Sequence, residues 1–437
     1  MFKALITYIS VNREFIFLLL IWLFTGIYAG PAIYVIIPVS LFLLQRKERY
    51  EELFLGFFFI LILSDSRQIE LGFAADIKVI YMVMLALFLL LDRKSFFPFN
   101  TFYQKFIPFF IVAFIALLNS EVFSVSLQKT SSYFLLFLIV PNYVQKLWKE
   151  KGEKFFYNLI FLCAIILLAG LMMKFIMPEK VYLDDRFSGI LGNPNGLGLF
   201  CMMFFLAVST ILYFFPEILN KQEKIFIYCL IFVSVILCGS RSALLSIFVF
   251  VFFKYIYKLT PFLGFIIFLL ILISYELIAS NITPIIIGLG LEEYFRLNTL
   301  EGGSGRLVAW YFAWEEIQRN FFIGKGFAHT EFIYKKFADI LSRLGHQGNA
   351  HNSYLTFWLE TGLIGLICFL WGFLKSFIVP AKKHIIAIPI LYSIAFSTYL
   401  ESWLTASLNP FTIQLLIILT MLAYVLYSKE NEAEIKN

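Results

Sequence analysis

Charge is scarce in this 437-residue chain. Asp, Glu, Lys and Arg make up 15% of it, against about 25% in an average soluble domain. So few charges cannot cover a water-facing surface, which excludes a soluble globular protein and a disordered tail. Cysteine is scarce as well. The five (Cys163, Cys201, Cys229, Cys238, Cys368) all sit within apolar runs and form no CxxC pair. They read as small hydrophobes, so neither a disulfide framework nor a metal site is implied. Only four histidines are present, and His329, His346 and His351 have no common zinc-ligand spacing. The first apolar run follows Lys3 and Arg13 but ends in no small-residue cleavage site, so it reads as a retained span. No internal repeat occurs, and low complexity is confined to a charged tail after Ser428. The basic residues are scattered through short loops, which excludes nucleic-acid binding.

What is abundant is apolar. Hydrophobic residues make up 61% of the chain and mean hydropathy is +0.85, enough for about thirteen spans of about 20 residues. Polar interruptions mark off runs near 14–30, 31–45, 52–64, 77–91, 106–119, 125–144, 155–177, 195–215, 225–239, 242–257, 259–280, 353–374, 384–400 and 410–427. The first three are short, so twelve to fourteen spans are expected in an all-α polytopic transmembrane bundle. Residues 1–150 would hold the N-terminal helices and 151–280 the central ones. A long outer loop would follow at 281–352, then C-terminal helices at 353–428 and a cytoplasmic tail at 429–437.

Orientation follows from the basic residues. With the N-terminus inside, 21 Lys and Arg fall on the inner side and 14 on the outer, half of these in the one long loop. Long loops escape the positive-inside rule, so both termini are expected in the cytoplasm. The long loop exceeds any simple connector. It carries a flexible Glu301-Gly302-Gly303-Ser304-Gly305 stretch. From Arg306 to Asn320 the spacing of Leu307, Trp310, Tyr311 and Trp314 predicts an amphipathic helix, suited to the membrane surface.

Four arginines stand against the positive-inside trend, each at the outer end of a span: Arg67, Arg186, Arg241 and Arg306. A guanidinium is a fixed, planar, five-donor cation that matches phosphate oxygens bidentately. A lipid diphosphate at the outer leaflet is one such ligand. The plainer reading pairs each arginine with a nearby acid, such as Asp65 or Asp185. Arg241 has no acid within its Gly239-Ser240-Arg241-Ser242 hairpin. His351 precedes Asn352 and Ser353, one of which should cap the next span. There a neutral imidazole can take a proton from a hydroxyl, although a loop histidine is more often only a surface residue. Glu360, about two and a half turns further on, faces elsewhere and should pair with another element. Gly362 and Gly365 permit close helix approach.

Several fragments occur in a fixed order. They are Gly189-Ile190-Leu191-Gly192-Asn193-Pro194-Asn195-Gly196, Gly239-Ser240-Arg241-Ser242, and Ser304-Gly305-Arg306 with Trp310. Gly324-Lys325-Gly326 follows, then His351-Asn352-Ser353-Tyr354 with Glu360-Thr361-Gly362 and Gly365. Over residues 184–375 the chain resembles the O-antigen ligase/polymerase family of bacterial membrane glycosyltransferases. One departure is Asn320-Phe321-Phe322 where the family often has a proline before the Gly-x-Gly turn.

The resemblance implies a GT-C-like, metal-independent, inverting enzyme of the bacterial inner membrane, with its active site on the periplasmic side. It needs no cofactor. Its donor would be a glycan on undecaprenyl diphosphate, and its acceptor a lipid A-core sugar (ligase, slightly preferred) or another glycan (polymerase). Carried over, Arg186, Arg241 and Arg306 would hold the diphosphate and His351 would act as base. Arg67, Asn193, Asn195 and Asn352 are the accompanying substrate-binding candidates. The competing readings are a transporter or flippase of lipid-linked glycans, a peptidoglycan glycosyltransferase of the SEDS type, and a membrane protein without chemistry. Transporters carry repeats and broken helices at mid-membrane, whereas the polar residues here gather at the outer face.

Overall fold

The computed structural model describes residues 2–183, 185–256, 261–281, 306–346 and 348–434. The chain is all-α and polytopic. Each of the fourteen apolar runs falls on a helix: α1 (Phe2–Val11), α2 (Arg13–Tyr28), α3 (Ile33–Arg46), α4 (Tyr50–Ser64), α5 (Phe73–Leu91), α6 (Ile107–Ala116), α7 (Phe123–Lys151), α8 (Glu153–Ile176), α9 (Pro178–Val181), α10 (Pro194–Phe214), α11 (Lys221–Cys238), α12 (Arg241–Ile256) and α13 (Pro261–Asn281). There follow α14 (Arg306–Arg319), α15 (His329–Lys336), α16 (Ala338–Arg343), α17 (Ser353–Ala381), α18 (Ala387–Leu400) and α19 (Pro410–Glu434). A two-residue pair of strands, β1 (Tyr182–Leu183) and β2 (Arg186–Phe187), folds antiparallel.

Among the described residues six helices are long and apolar enough to cross a membrane, or seven with the bent pair α1–α2. That is fewer than the twelve to fourteen spans expected. Part of the difference lies in length: the helices on runs 31–45 and 384–400 are apolar but short. Large apolar side chains such as Phe17, Phe175 and Trp371 lie exposed on helix faces, as a lipid-facing surface requires.

The chain divides into two compact units. The first comprises residues 1–103, 132–244 and 408–437, the second 104–131 and 245–407. In the first, α10 is central. Of its most apolar stretch 83% is buried, where the other spans bury 39–50%, because α8, α11 and α19 pack around it. Its start is set by Asn193, whose side chain accepts from Asn195 N, with Pro194 at the first helical position. The following helix α11 opens on a reciprocal Asn220–Glu223 capping box and ends at Gly239 in the left-handed conformation (φ 58°).

In the second unit α17 is the axis, packed by α6, α14 and α18. It is interrupted at Gly362 (φ 74°), a backbone shape that a side chain would strain. Loop residues enter the break. Leu363 N donates to Phe321 O (2.9 Å) and Ile364 N to Phe322 O (3.3 Å), while Lys325 N donates to Leu359 O (3.3 Å) and Gly326 N to Glu360 O (2.8 Å). The Asn320-Phe321-Phe322 departure thus has a structural use: its carbonyls take up amides the helix cannot pair. Gly362 permits close approach, as expected, but to a loop backbone, with Phe322 O nearest. Gly365 faces Thr361 and Val112.

Candidate functional site

The expected amphipathic helix is α14. Ala309, Ala313 and Ile317, four residues apart, are buried, while Leu307 and Tyr311 are exposed. Residues 301–305, which include the glycine-rich stretch, lie outside the described residues. Tyr334 Oη donates to Ala309 O (2.6 Å), and Trp310 Nε1 donates to Ala350 O (2.9 Å). The helix therefore clamps the segment that carries His351.

His351 itself has φ 46°, an uncommon conformation for a residue with a side chain. Asn349 and the next residue, Asn352, hold it there. Asn349 Oδ1 accepts from His351 N and from Ser402 Oγ, both at 3.0 Å. The side chain of Asn352 caps α17, accepting from Tyr354 N and Leu355 N. The turn fixes where the ring points. His351 Nδ1 lies 3.4 Å from Glu401 Oε2. Its Nε2 lies on the other side, next to Gly348, where an added Cβ would come within 3.2 Å of it. The His346 ring stands edge-on to the His351 ring, 5.9 Å away between centroids.

Glu401 is the residue that sequence reasoning missed. It ends α18 and is 7% exposed. Besides His351 it meets Arg306, with Nη2 3.7 Å from Oε1. Arg306 Nη1 also reaches Tyr275 Oη at 3.5 Å. Ser353 Oγ donates to Glu401 O (2.7 Å), stitching the start of α17 to the end of α18. The signal was present in the sequence: a lone carboxylate at the end of an apolar run obeys the same logic as the four arginines. Arg306 and His351 both reach Glu401, an acid neither neighbours in sequence. Glu360 is buried and faces Thr330 and Lys129, away from His351.

The remaining candidates lie in the first unit. Arg186 Nε donates to Cys238 O (3.0 Å), and its Nη2 to Asn195 Oδ1 (2.9 Å) and Gly239 O (3.3 Å). A cation at these carbonyls matches the negative end of α11. It also links β2, α10 and the Gly239 turn that precedes Arg241. Arg241 begins α12, half-buried between the buried Ser240 and Ser242. Asp185 is exposed, and Asp184 lies outside the described residues.

Arg67 is exposed in a loop packed on Gly192, where an added Cβ would come 2.1 Å from Arg67 N. Gly192 N donates to Asp65 O (3.3 Å). Burial pushes the Asp65 carboxyl up to about 7, against the pull of Lys78 and Arg67. Arg67, Arg186, Arg241, Asn193 and Asn195 thus belong to one neighbourhood of loops and helix ends, with Asn193 occupied in capping.

Residues 226–370 match the O-antigen ligase family. The matched segment is about a third of the chain and holds Arg241, Arg306 and His351, so the resemblance seen in the sequence is upheld over that stretch. No curated protein matches the chain. Glycosyl transfer in the general manner of O-antigen ligases is the activity the match supports, on lipid-linked glycan and acceptor substrates as a class.

Proposed function

We propose that this protein moves a glycan from undecaprenyl diphosphate to an acceptor sugar hydroxyl at the periplasmic face of the bacterial inner membrane, both termini being cytoplasmic. A ligase reaction onto lipid A core is favoured over polymerisation. The observation that carries the reading is the orientation of His351: Nδ1 turned to a buried carboxylate, Nε2 left to act.

In the reaction the acceptor oxygen attacks the anomeric carbon as the bond to the diphosphate breaks. His351 Nε2 takes the hydroxyl proton, and undecaprenyl diphosphate departs with the electron pair. Direct displacement inverts the anomeric centre and requires no metal ion. Glu401 holds the ring in the right tautomer and stabilises the imidazolium as it forms. Arg186, Arg241 and Arg306 are assigned to the diphosphate, whose growing charge fixed cations stabilise without reorganisation. Arg67 and Asn195 are assigned as accompanying binding groups. Asn193 and Asn352 serve by capping the helices that carry the site.

Purified protein in lipid vesicles, given the lipid-linked glycan and an acceptor, tests this. Transfer without a second compartment separates an enzyme from a flippase. His351→Ala or Arg241→Ala should lower transfer by about 10³-fold or more, with expression and fold retained. Full activity of both variants refutes the assignment. In a deletion strain, long unattached chains on the lipid carrier indicate a ligase, and single capped units a polymerase.

A further inference from the structure

A cavity of about 540 Å³ opens beside His351 in the second unit. Its polar lining comes from Glu331, Lys335, Asp339, Ser342, His346 and Asn349, over an apolar floor of Tyr334 and Leu341. Gly348, against which His351 Nε2 lies, is also in its wall. We infer that this cavity binds the acceptor sugar and presents its hydroxyl to His351 Nε2. The inference rests on the glycosyl-transfer reading and adds to it the place of the acceptor.

Four observations support it. The volume is within the range of about 300–1,000 Å³ common to small-ligand sites, room for a short oligosaccharide. The lining has two carboxylates and one ammonium, which disfavours an anionic diphosphate and suits a neutral, hydroxyl-rich ring. His346 lines the cavity with its ring edge-on to that of His351, 5.9 Å between centroids, so the wall reaches the proposed base. Finally, Asn349 both lines the cavity and accepts from His351 N, so the wall and the base belong to one rigid turn.

Asp339 and Ser342 are exposed on α16, so Asp339→Asn and Ser342→Ala should leave the fold intact. The probe is the oligosaccharide released by mild acid from the source cell's own surface glycan, offered to the full-length protein in nanodiscs. The double variant should raise the acceptor KM about tenfold, the worth of one hydrogen bond to a charged group, with donor KM unchanged. Saturation-transfer NMR of the same oligosaccharide should lose its signal in parallel. A wild type that transfers glycan while the double variant keeps its acceptor KM within about twofold overturns the inference and leaves the enzyme reading standing. A rise in donor KM alone also overturns it. Variant-sensitive binding by a wild type that transfers nothing upholds the sugar site and ends the enzyme reading.

Discussion

Replacing Glu401 by Gln removes one negative charge and almost no volume. The two backbone bonds that seat this residue, Ser353 Oγ to Glu401 O and Glu401 N to Ser397 O, do not involve the altered atoms. The turn should therefore survive and the electrostatics change alone. At 3.4 Å a full carboxylate–imidazolium pair is worth at most about 5 kcal/mol at an effective dielectric of about 20. About half the proton's charge reaches the imidazole in a transition state midway through transfer, so about 2–3 kcal/mol of stabilisation is lost. That is about a hundredfold in kcat. The uncompensated Arg306 cation nearby adds to the loss in the same direction. Initial rates on lipid-linked glycan measure it, with donor and acceptor KM followed separately. The double variant with His351→Ala should be no slower than His351→Ala alone, since the carboxylate acts through the ring. A kcat within about threefold of wild type, or additive losses in the double variant, would refute the coupling.

Other substitutions read other parts of the structure. Arg186→Lys keeps the charge but loses the fork that reaches Cys238 O, Gly239 O and Asn195 at once, so donor KM should rise about tenfold in transfer assays although the charge is retained. Gly362→Ala would place a methyl 2.2 Å from Phe322 O at φ 74°, and should cost more than about 3 kcal/mol, seen as lost thermal stability in detergent. Burial, with Lys325 and Lys336 adding to it and Glu121 opposing, pushes the His329 imidazole down to about 4. A depressed histidine binds its proton more readily unfolded than folded, so stability falls as pH drops through the window from 6.5 to 4. From pH 7 to pH 4.5 the loss should be about 2 kcal/mol, and His329→Phe should remove that pH dependence in thermal melts.

The helical class, the fourteen apolar runs and the special loops were legible because each rests on a local signal. Asn352 before Ser353 announces a helix start in the sequence, and that start occurs there. The long loop's helix was visible in the spacing of its aromatics. The number of crossings was less legible, since apolar length in sequence does not report where a short helix stops. Glu401 was not legible as a partner of His351. The two are 50 residues apart, and no periodicity joins a turn before one span to the end of the next. The cavity walls on α15 and α16 were equally silent, because exposed Asp339 and Ser342 look like any solvated face.

The splice at Gly362 bears on how this protein enters its membrane. Ten residues into α17, two amides and two carbonyls find their partners only in residues 321–326. In hydrocarbon each would otherwise cost several kcal/mol. The span therefore cannot settle until the preceding loop has been laid against it. Insertion of this half of the molecule should be concerted, with loop docking and burial in lipid completed as one step.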